Sequence, residues 1–383
     1  MSDPQTLPLS APWFDEAEAA AVAEVVASRW LTMGPRTAAF EAAFADLVGV
    51  DHAVMVSSCT AALHLAFQVL DLGPRDEVVV PSLTFVATAN AVAYTGATPV
   101  FCDITGPERP LIDPEAVRAA ITPRTRAVCA VHYAGHMADM PALRALCAAH
   151  GLALVEDAAH APGATGAGGR AGAAGDIGCF SFFSNKNLVT GEGGMLTTRD
   201  EGLARRLRLL RAHGMTATSW DRERGHATGY DVVERGHNYR PSELEAALGL
   251  AQLAKLPEAT ARRRALVGAY RDALAGRPEL GLVPFTPADD ATSACHIMPL
   301  VTPGPEAREA ARAALAAARV QSSVHYPPAH RFSIFAPQPA LMATEDYARR
   351  EVTLPLFAQM DRADVARVVD ALPRVSQAAG RAA

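Results

Sequence analysis

Leu152-Ala-Leu-Val-Glu-Asp-Ala-Ala-His160 opens as a four-residue apolar run and ends abruptly in two carboxylates, Glu156 and Asp157. A short apolar run of this kind reads as a buried strand. The same pattern recurs upstream in Ala53-Val-Met-Val-Ser57, Glu77-Val-Val-Val80, Thr98-Pro-Val-Phe101 and Ala127-Val-Cys-Ala-Val131. Downstream it returns in Cys179-Phe-Ser-Phe-Phe183 and Met195-Leu-Thr-Thr198. Helical apolar spacing precedes or separates these runs over 15–28, 35–48, 60–67, 114–120 and 140–150. Strands alternating with helices predict an α/β fold with a mostly parallel central sheet. The runs 179–183 and 195–198 lie too close for a helix between them, so at least one strand is expected to run antiparallel. In such sheets the ligand crevice forms at the carboxyl ends of the strands, which makes Glu156 and Asp157 candidates for function. The plainer role, capping the turn that follows, suits Glu156 better than Asp157.

Past residue 240 the pattern changes to one long helical stretch, 241–274, with an expected kink at Pro257 and an arginine cluster at 262–264. Mixed short strands and helices follow, and an Ala/Gly tail at 376–383 reads as frayed. A chain of 383 residues exceeds what one core usually holds. We place a boundary near 250, giving a large domain over 1–250 and a smaller C-terminal α+β domain over 251–383, with the N-terminal segment free to pack against the latter.

Hydrophobic residues at 50% and charged residues at 20% exclude wholesale disorder. Lys+Arg at 35 against Asp+Glu at 41 gives −6, which argues against a nucleic-acid partner. No apolar run approaches a membrane span, and Met1–Ser10 has neither a basic n-region nor an apolar h-region, so a cytoplasmic protein with no membrane partner is expected. Cys59, Cys102, Cys129, Cys147, Cys179 and Cys295 are scattered without a C-x-x-C and read as reduced, buried small hydrophobes.

Only two of the 35 basic residues are lysines, Lys186 and Lys255. Lys186 sits between the aromatic run 179–183 and the turn Gly191-Glu-Gly-Gly194, where desolvation would lower the amine's pKa and make it nucleophilic. A lysine in that place could equally reach to the surface, but a chain so poor in lysine makes that reading weaker. Lys255, on the long helix, looks ordinary. Ser58-Cys-Thr-Ala61 offers hydroxyls and backbone N–H groups at a strand-to-helix junction, an anion site suited to phosphate. Phosphate cradle, strand-end acid and aromatic-flanked lysine together fit pyridoxal 5′-phosphate (PLP).

Two other motifs carry less. Gly166-Ala-Gly168-Gly-Arg-Ala171 matches a dinucleotide fingerprint formally, but it follows no strand and opens no clear helix, so a flexible surface loop is expected. His132 and His136 have i,i+4 spacing without a shared helical face. No zinc motif is present, and no metal is expected. His325 and His330 flank Pro327-Pro328, a rigid turn suited to a pocket edge.

The chain resembles the DegT/StrS-type sugar aminotransferases, a branch of the fold-type I PLP-dependent enzymes. The blocks that carry the resemblance run in order from Trp30 to Tyr326: Trp30-Leu-Thr-Met-Gly-Pro35, Ser57-Ser-Cys-Thr-Ala-Ala-Leu63, Pro81-Ser-Leu-Thr-Phe-Val-Ala-Thr-Ala-Asn90, Val155-Glu-Asp-Ala-Ala-His160, Gly175-Asp-Ile-Gly-Cys-Phe-Ser-Phe182, Lys186-Asn-Leu188, Gly191-Glu-Gly-Gly194 and His237-Asn-Tyr-Arg240. The resemblance implies that Lys186 carries the cofactor as a Schiff base, that Asp157 pairs with the pyridine nitrogen, and that His160 lies near the 3′-oxygen. It further implies that Phe85 stacks on the ring, that Cys59, Thr60 and Ser181 hold the phosphate, and that Asn238 reaches the same phosphate from a partner subunit. Thr32, His325, Tyr326 and His330 are the expected substrate contacts. Relatives that act as dehydratases carry His in place of the lysine, and Lys186 argues against that branch. Two mild departures from the family pattern are His237 and Ser184-Asn185.

The activity so implied is transfer of an amino group from an amino acid, glutamate or glutamine, to a keto-sugar by a ping-pong Schiff-base mechanism, with pyridoxamine phosphate (PMP) as intermediate. The keto-sugar is most often a nucleotide-linked keto-deoxysugar of sugar biosynthesis in secondary metabolism, and the enzyme a homodimer with shared active sites. Three alternatives stay open: a cyclitol ketone as acceptor, a PLP-binding regulator without turnover, and an oxidoreductase resting on the 166–171 match alone.

Overall fold

The structure, a computed structural model, describes residues 6–217, 220, 223–225, 228–335 and 337–373. The tail at 376–383 lies outside them. Helices α1 (Glu16–Ser28) and α2 (Pro35–Val48) lead into β1 (His52–Val56), α3 (Cys59–Val69), β2 (Glu77–Pro81), α4 (Val86–Tyr94) and β3 (Thr98–Cys102). A small hairpin, β4 (Ile104–Gly106) with β5 (Arg109–Ile112), precedes α5 (Pro114–Ala120), β6 (Thr125–Val131), α6 (Met140–His150) and β7 (Ala153–Asp157). Then come β8 (Thr165–Gly166), β9 (Gly169–Arg170), β10 (Ile177–Ser181), β11 (Gly194–Thr198), α7 (Glu201–Arg211) and the 33-residue α8 (Glu243–Ala275). The C-terminal part holds α9 (Pro287–Thr292), β12 (Met298–Val301), α10 (Pro305–Ala317), α11 (Met342–Arg350), β13 (Glu351–Leu354) and α12 (Arg362–Ala371).

Seven strands form one sheet in the order β1-β11-β10-β7-β6-β2-β3. Every pairing from β10 to β3 is parallel, and β11 alone runs against its neighbours β1 and β10. The expected antiparallel strand is therefore β11, which follows β10 through a connection that holds no helix to carry a crossover. Helices cover both faces, so Val78, Val79 and Val80 of β2 have no exposed surface at all. The period of two sorts residues between the faces. Ala53, Met55, Leu154 and Phe180 join the core under α2 and α6, while Val54, Val56, Val155 and Cys179 join the core under α3 and α4.

Helix α8 continues through Pro257 without a break. Pro257 faces outward, where water can take the carbonyl that the missing N–H leaves free. A separate core gathers Leu266, Tyr270 and Leu274 of α8 with Leu300, Leu315, Val352, Leu354 and Val368, and Leu7 of the N-terminal segment joins it. The 166–171 segment is no loose loop but a tight hairpin, with Thr165 opposite Arg170 and Gly166 opposite Gly169. It opens no helix, so the strand–turn–helix context of a dinucleotide site is missing.

Candidate active site

Register fixes the place of the site. Asp157 pairs with Val131 and with Cys179, and Gly194 pairs with both Val56 and Ser181. The carboxyl ends of β1, β6, β7 and β10 and the start of β11 therefore share one edge of the sheet. A cavity of about 340 Å³ opens there, lined by Val131, Asp157 and Ser181 of the strand ends, by Ser58 at the start of α3, and by Lys186, His325 and Tyr326.

Glu156 and Asp157 part company at this edge because adjacent strand residues face opposite ways. Glu156, fully buried, accepts hydrogen bonds from Gly172 N at 2.9 Å, Gly175 N at 2.5 Å and His132 Nε2 at 2.7 Å. It holds the 172–175 turn and lies outside the cavity lining. Asp157 lines the cavity on the α4 side, where Thr88 Oγ1 donates to Oδ2 at 2.7 Å and Ala159 N donates to Oδ1 at 3.2 Å. Thr84 bonds Thr88 in turn at 2.7 Å. Burial pushes the Asp157 carboxyl above the usual range, opposed by these hydrogen bonds and by the Lys186 charge. It is a buried acid without a bonded cation, and a protonated ring nitrogen would supply one.

Lys186 sits in the turn after β10, its N–H bonded to Phe183 O at 2.8 Å. Burial lowers its pKa to about 8, against the opposing pull of Cys59 and Asp157. The glycine turn is sterically required. Gly193 has φ of +142°, and a Cβ on Gly194 would stand 2.5 Å from the Ser58 carbonyl carbon. β11 can thus press against the start of α3, whose N-cap Ser58 accepts from Ala61 N at 3.1 Å. Ser58, Cys59 and Thr60 bring the free N–H groups of an 11-residue helix to the cavity wall, beside Ser181.

His160 is 6% exposed and donates to or accepts from Tyr326 Oη through Nε2 at 2.8 Å. Its Nδ1 is buried without a partner. Burial first, then the Lys186 charge, keeps the ring neutral. His296 packs against it with ring centroids 4.2 Å apart and is itself held by Asn187 Oδ1 at 3.0 Å.

Of the residues singled out in the sequence, Cys59, Thr60, Phe85, Asp157, His160, Ser181, Lys186, His325 and Tyr326 line this cavity together. Thr32, Asn238 and His330 do not. Thr32 bridges to Ser242 and Asn238 to Ala212, both exposed. His330 is fully buried between Ser82 Oγ at 2.6 Å and Glu345 Oε1 at 3.0 Å, which uses both ring nitrogens. Thr84, Thr88, Asn185 and Glu192 line or support the site although sequence reasoning gave them no role there; the block 81–90 contains the two threonines, and their i,i+4 spacing is the available signal. His132 and His136 go separate ways, to Glu156 and onto the Phe285 ring, and no metal-ligand cluster exists among the described residues.

These groups fit PLP on their own chemistry: an anion cradle at a helix start, a buried acid in need of a cation, a desolvated amine and a neutral histidine with one nitrogen unspent. The fold and the site define a fold-type I aminotransferase. The chain belongs to the DegT/DnrJ/EryC1/StrS aminotransferase family, whose model matches residues 12–373. It is 40% identical over 377 residues to the spore coat polysaccharide biosynthesis protein SpsC of Bacillus subtilis (strain 168), covering 96% of each chain. Among solved structures it is similar to S. venezuelae DesV in complex with a ketimine intermediate, at 39% identity and TM-score 0.86 over 96% of this chain and 100% of that one. It is also similar to DesI in the presence of its TDP-sugar product, at 33% identity and TM-score 0.87 over 97% and 93%. Among the described residues no helix is long and apolar enough to cross a membrane.

Proposed function

We propose that this aminotransferase is PLP-dependent and moves an amino group from glutamate or glutamine to a keto-sugar, with a nucleotide-linked keto-deoxysugar as the acceptor. The observation that carries the reading is the joint placement of Lys186, Asp157 and the α3 start around one cavity. The DesI relative with its TDP-sugar product supports the nucleotide-linked acceptor. Bound there, the cofactor supplies an electron sink for the carbon that gains or loses the amino group. Asp157, fixed by Thr88 and Ala159, holds a proton on the ring nitrogen. Lys186, partly neutral near its lowered pKa, takes a proton from one carbon and returns it to another. Ser58, Cys59, Thr60 and Ser181 bind phosphate, and Phe85 and Tyr326 bound the ring and acceptor side of the cavity.

We further read the protein as a cytoplasmic homodimer, dividing near residue 250, with Asn238 completing the partner's phosphate site. Support comes from exposed apolar side chains among the cavity lining: Phe85 is 58% exposed and Phe183 44%, surface that a second copy would cover. The test is glutamate or glutamine consumption by the PLP-loaded enzyme with nucleotide-linked keto-deoxysugars, free keto-sugars and cyclitol ketones. Turnover with the first class supports the reading. Turnover with cyclitol ketones alone moves the acceptor class, and PLP binding with no turnover on any ketone points to a regulator.

A further inference from the structure

Behind the cavity wall lies a polar chain that the chemistry above does not use. Glu351, the first residue of β13, is fully buried. One carboxylate oxygen, Oε2, accepts the backbone N–H of His325 at 2.9 Å, and the other, Oε1, is bonded by Thr353 Oγ1 at 2.5 Å. The same Thr353 oxygen meets His325 Nδ1 at 2.7 Å. His325 lines the cavity, and with Nδ1 taken by Thr353, Nε2 is the ring nitrogen left for a ligand.

We propose that Glu351 and Thr353 are positioning residues that decide which nitrogen of His325 carries the ring proton, and so whether His325 offers the cavity an acceptor or a donor. Counting protons gives the rule. A threonine hydroxyl has one proton, and a neutral imidazole has one. When Glu351 is ionised, Thr353 donates to it and can only accept from His325, which places the ring proton on Nδ1 and leaves a lone pair on Nε2. When Glu351 is protonated, it donates to Thr353, Thr353 donates to Nδ1, and the ring proton moves to Nε2. Every group stays hydrogen-bonded in both arrangements, so the relay has two closed states.

The surroundings allow both states near neutral pH. Burial raises the Glu351 carboxyl to about 8, opposed by its bonds from Thr353 and the His325 N–H and by Arg308 and Arg312 of α10. Tyr133, Tyr326 and Tyr347 also face it, and all three phenols are held protonated by burial. His325 itself is pushed down to about 4, by burial and then by Lys186, so it stays neutral while Glu351 titrates. A substrate hydroxyl or phosphate oxygen facing Nε2 would therefore meet a different partner on either side of that titration.

The bearing of this relay on catalysis rests on the proposed function, but its test needs neither substrate nor cofactor. Histidine-¹⁵N-labelled full chain, with the His325 signals assigned by His325→Gln, reports the tautomer by ¹⁵N–¹H correlation at about pH 6.5 and about pH 9.5. Wild type is expected to carry the proton on Nδ1 at the higher pH. Glu351→Gln, whose amide mimics the protonated acid by donating to Thr353, is expected to hold it on Nε2 at both. Thr353→Ser should keep the wild-type behaviour and Thr353→Val should uncouple His325 from Glu351. The same tautomer in wild type and Glu351→Gln at the higher pH would overturn the relay, as would wild-type behaviour in Thr353→Val. An inactive enzyme with these tautomers intact would instead count against the functional reading alone.

Discussion

Asp157 reaches the cavity because strand alternation gives it the α4 face, where Thr88 is waiting; Glu156, one residue earlier, is spent on a glycine turn. Asp157→Ala should lower turnover on the order of 10²-fold, the scale of losing an electrostatic partner, with smaller effect on cofactor retention. Unchanged turnover in steady-state assays would remove the role. The two acids were legible as a pair at a strand end, with the turn-binding role falling to Glu156 and the cofactor role to Asp157; the partners that hold them there, Gly172 and Thr88, were not, because neither is a neighbour in sequence. Lys186 was legible from lysine scarcity, whereas its desolvation needed the fold. With its pKa lowered to about 8, the neutral amine gains population as pH rises through that value, so the rate of PLP attachment to cofactor-free protein should climb with a midpoint near pH 8 and level above it. A midpoint near 10.5, the ordinary value of a lysine amine, would mean a solvated amine. Glu351 carries a stability prediction of known sign. Its folded pKa lies above 4.5, the ordinary value of a glutamate, so its contribution is present below 4.5 and lost as pH rises through about 8. Urea midpoints of Glu351→Gln should fall less steeply than those of wild type across that window; parallel curves would contradict the burial of a protonated acid.

Helix ends show how distant segments complete one another. Gly34, the N-cap of α2, has no side chain to cap it. Glu243, from the first turn of α8 and 2% exposed, fills that role by accepting from Gly34 N and Thr37 N at 2.8 Å and from Arg36 N at 2.7 Å. Glu243→Ala should cost about 2 kcal/mol in chemical denaturation, the scale of leaving buried donors unmet, and a loss below about 0.5 kcal/mol would show that water replaces the carboxylate. Lys255, which looked ordinary in the sequence, ties α8 to the first helix through Asp15 and Glu18, each at 2.7 Å. The helices and sheet strands named from the sequence lie within a residue or two of those observed, because burial on both sheet faces leaves near-continuous apolar runs, whereas α4, α7 and the β4–β5 hairpin were not read. These clamps were not, since an acid in a helix's first turn reads as serving its own helix's N-terminus, whereas Glu243 caps a segment over 200 residues away.

At the scale of the whole molecule the order of the elements placed the cavity at the carboxyl edge of the sheet, and this much the alternation of strands and helices foretold. The C-terminal wall was harder to foresee. The turn carrying His325 and His330 sends the first into the cavity lining and the second into a buried pocket between Ser82 and Glu345, a choice set by packing rather than by the motif. The shared-site reading predicts complementation. Mixing Lys186→Ala with Asn238→Asp subunits under exchange should restore about a quarter of wild-type activity per site, since about half the dimers are hybrids with one intact site each. Activity that stays at the average of the two parents would place Asn238 in its own chain's site or in none. The central claim, that this cavity is built around an amine that holds PLP, has a more direct test in a chain with two lysines. Borohydride reduction of the PLP-loaded protein followed by peptide mass spectrometry should find the pyridoxyl mass on the peptide containing Lys186. The label on Lys255, or on neither lysine, would contradict the account.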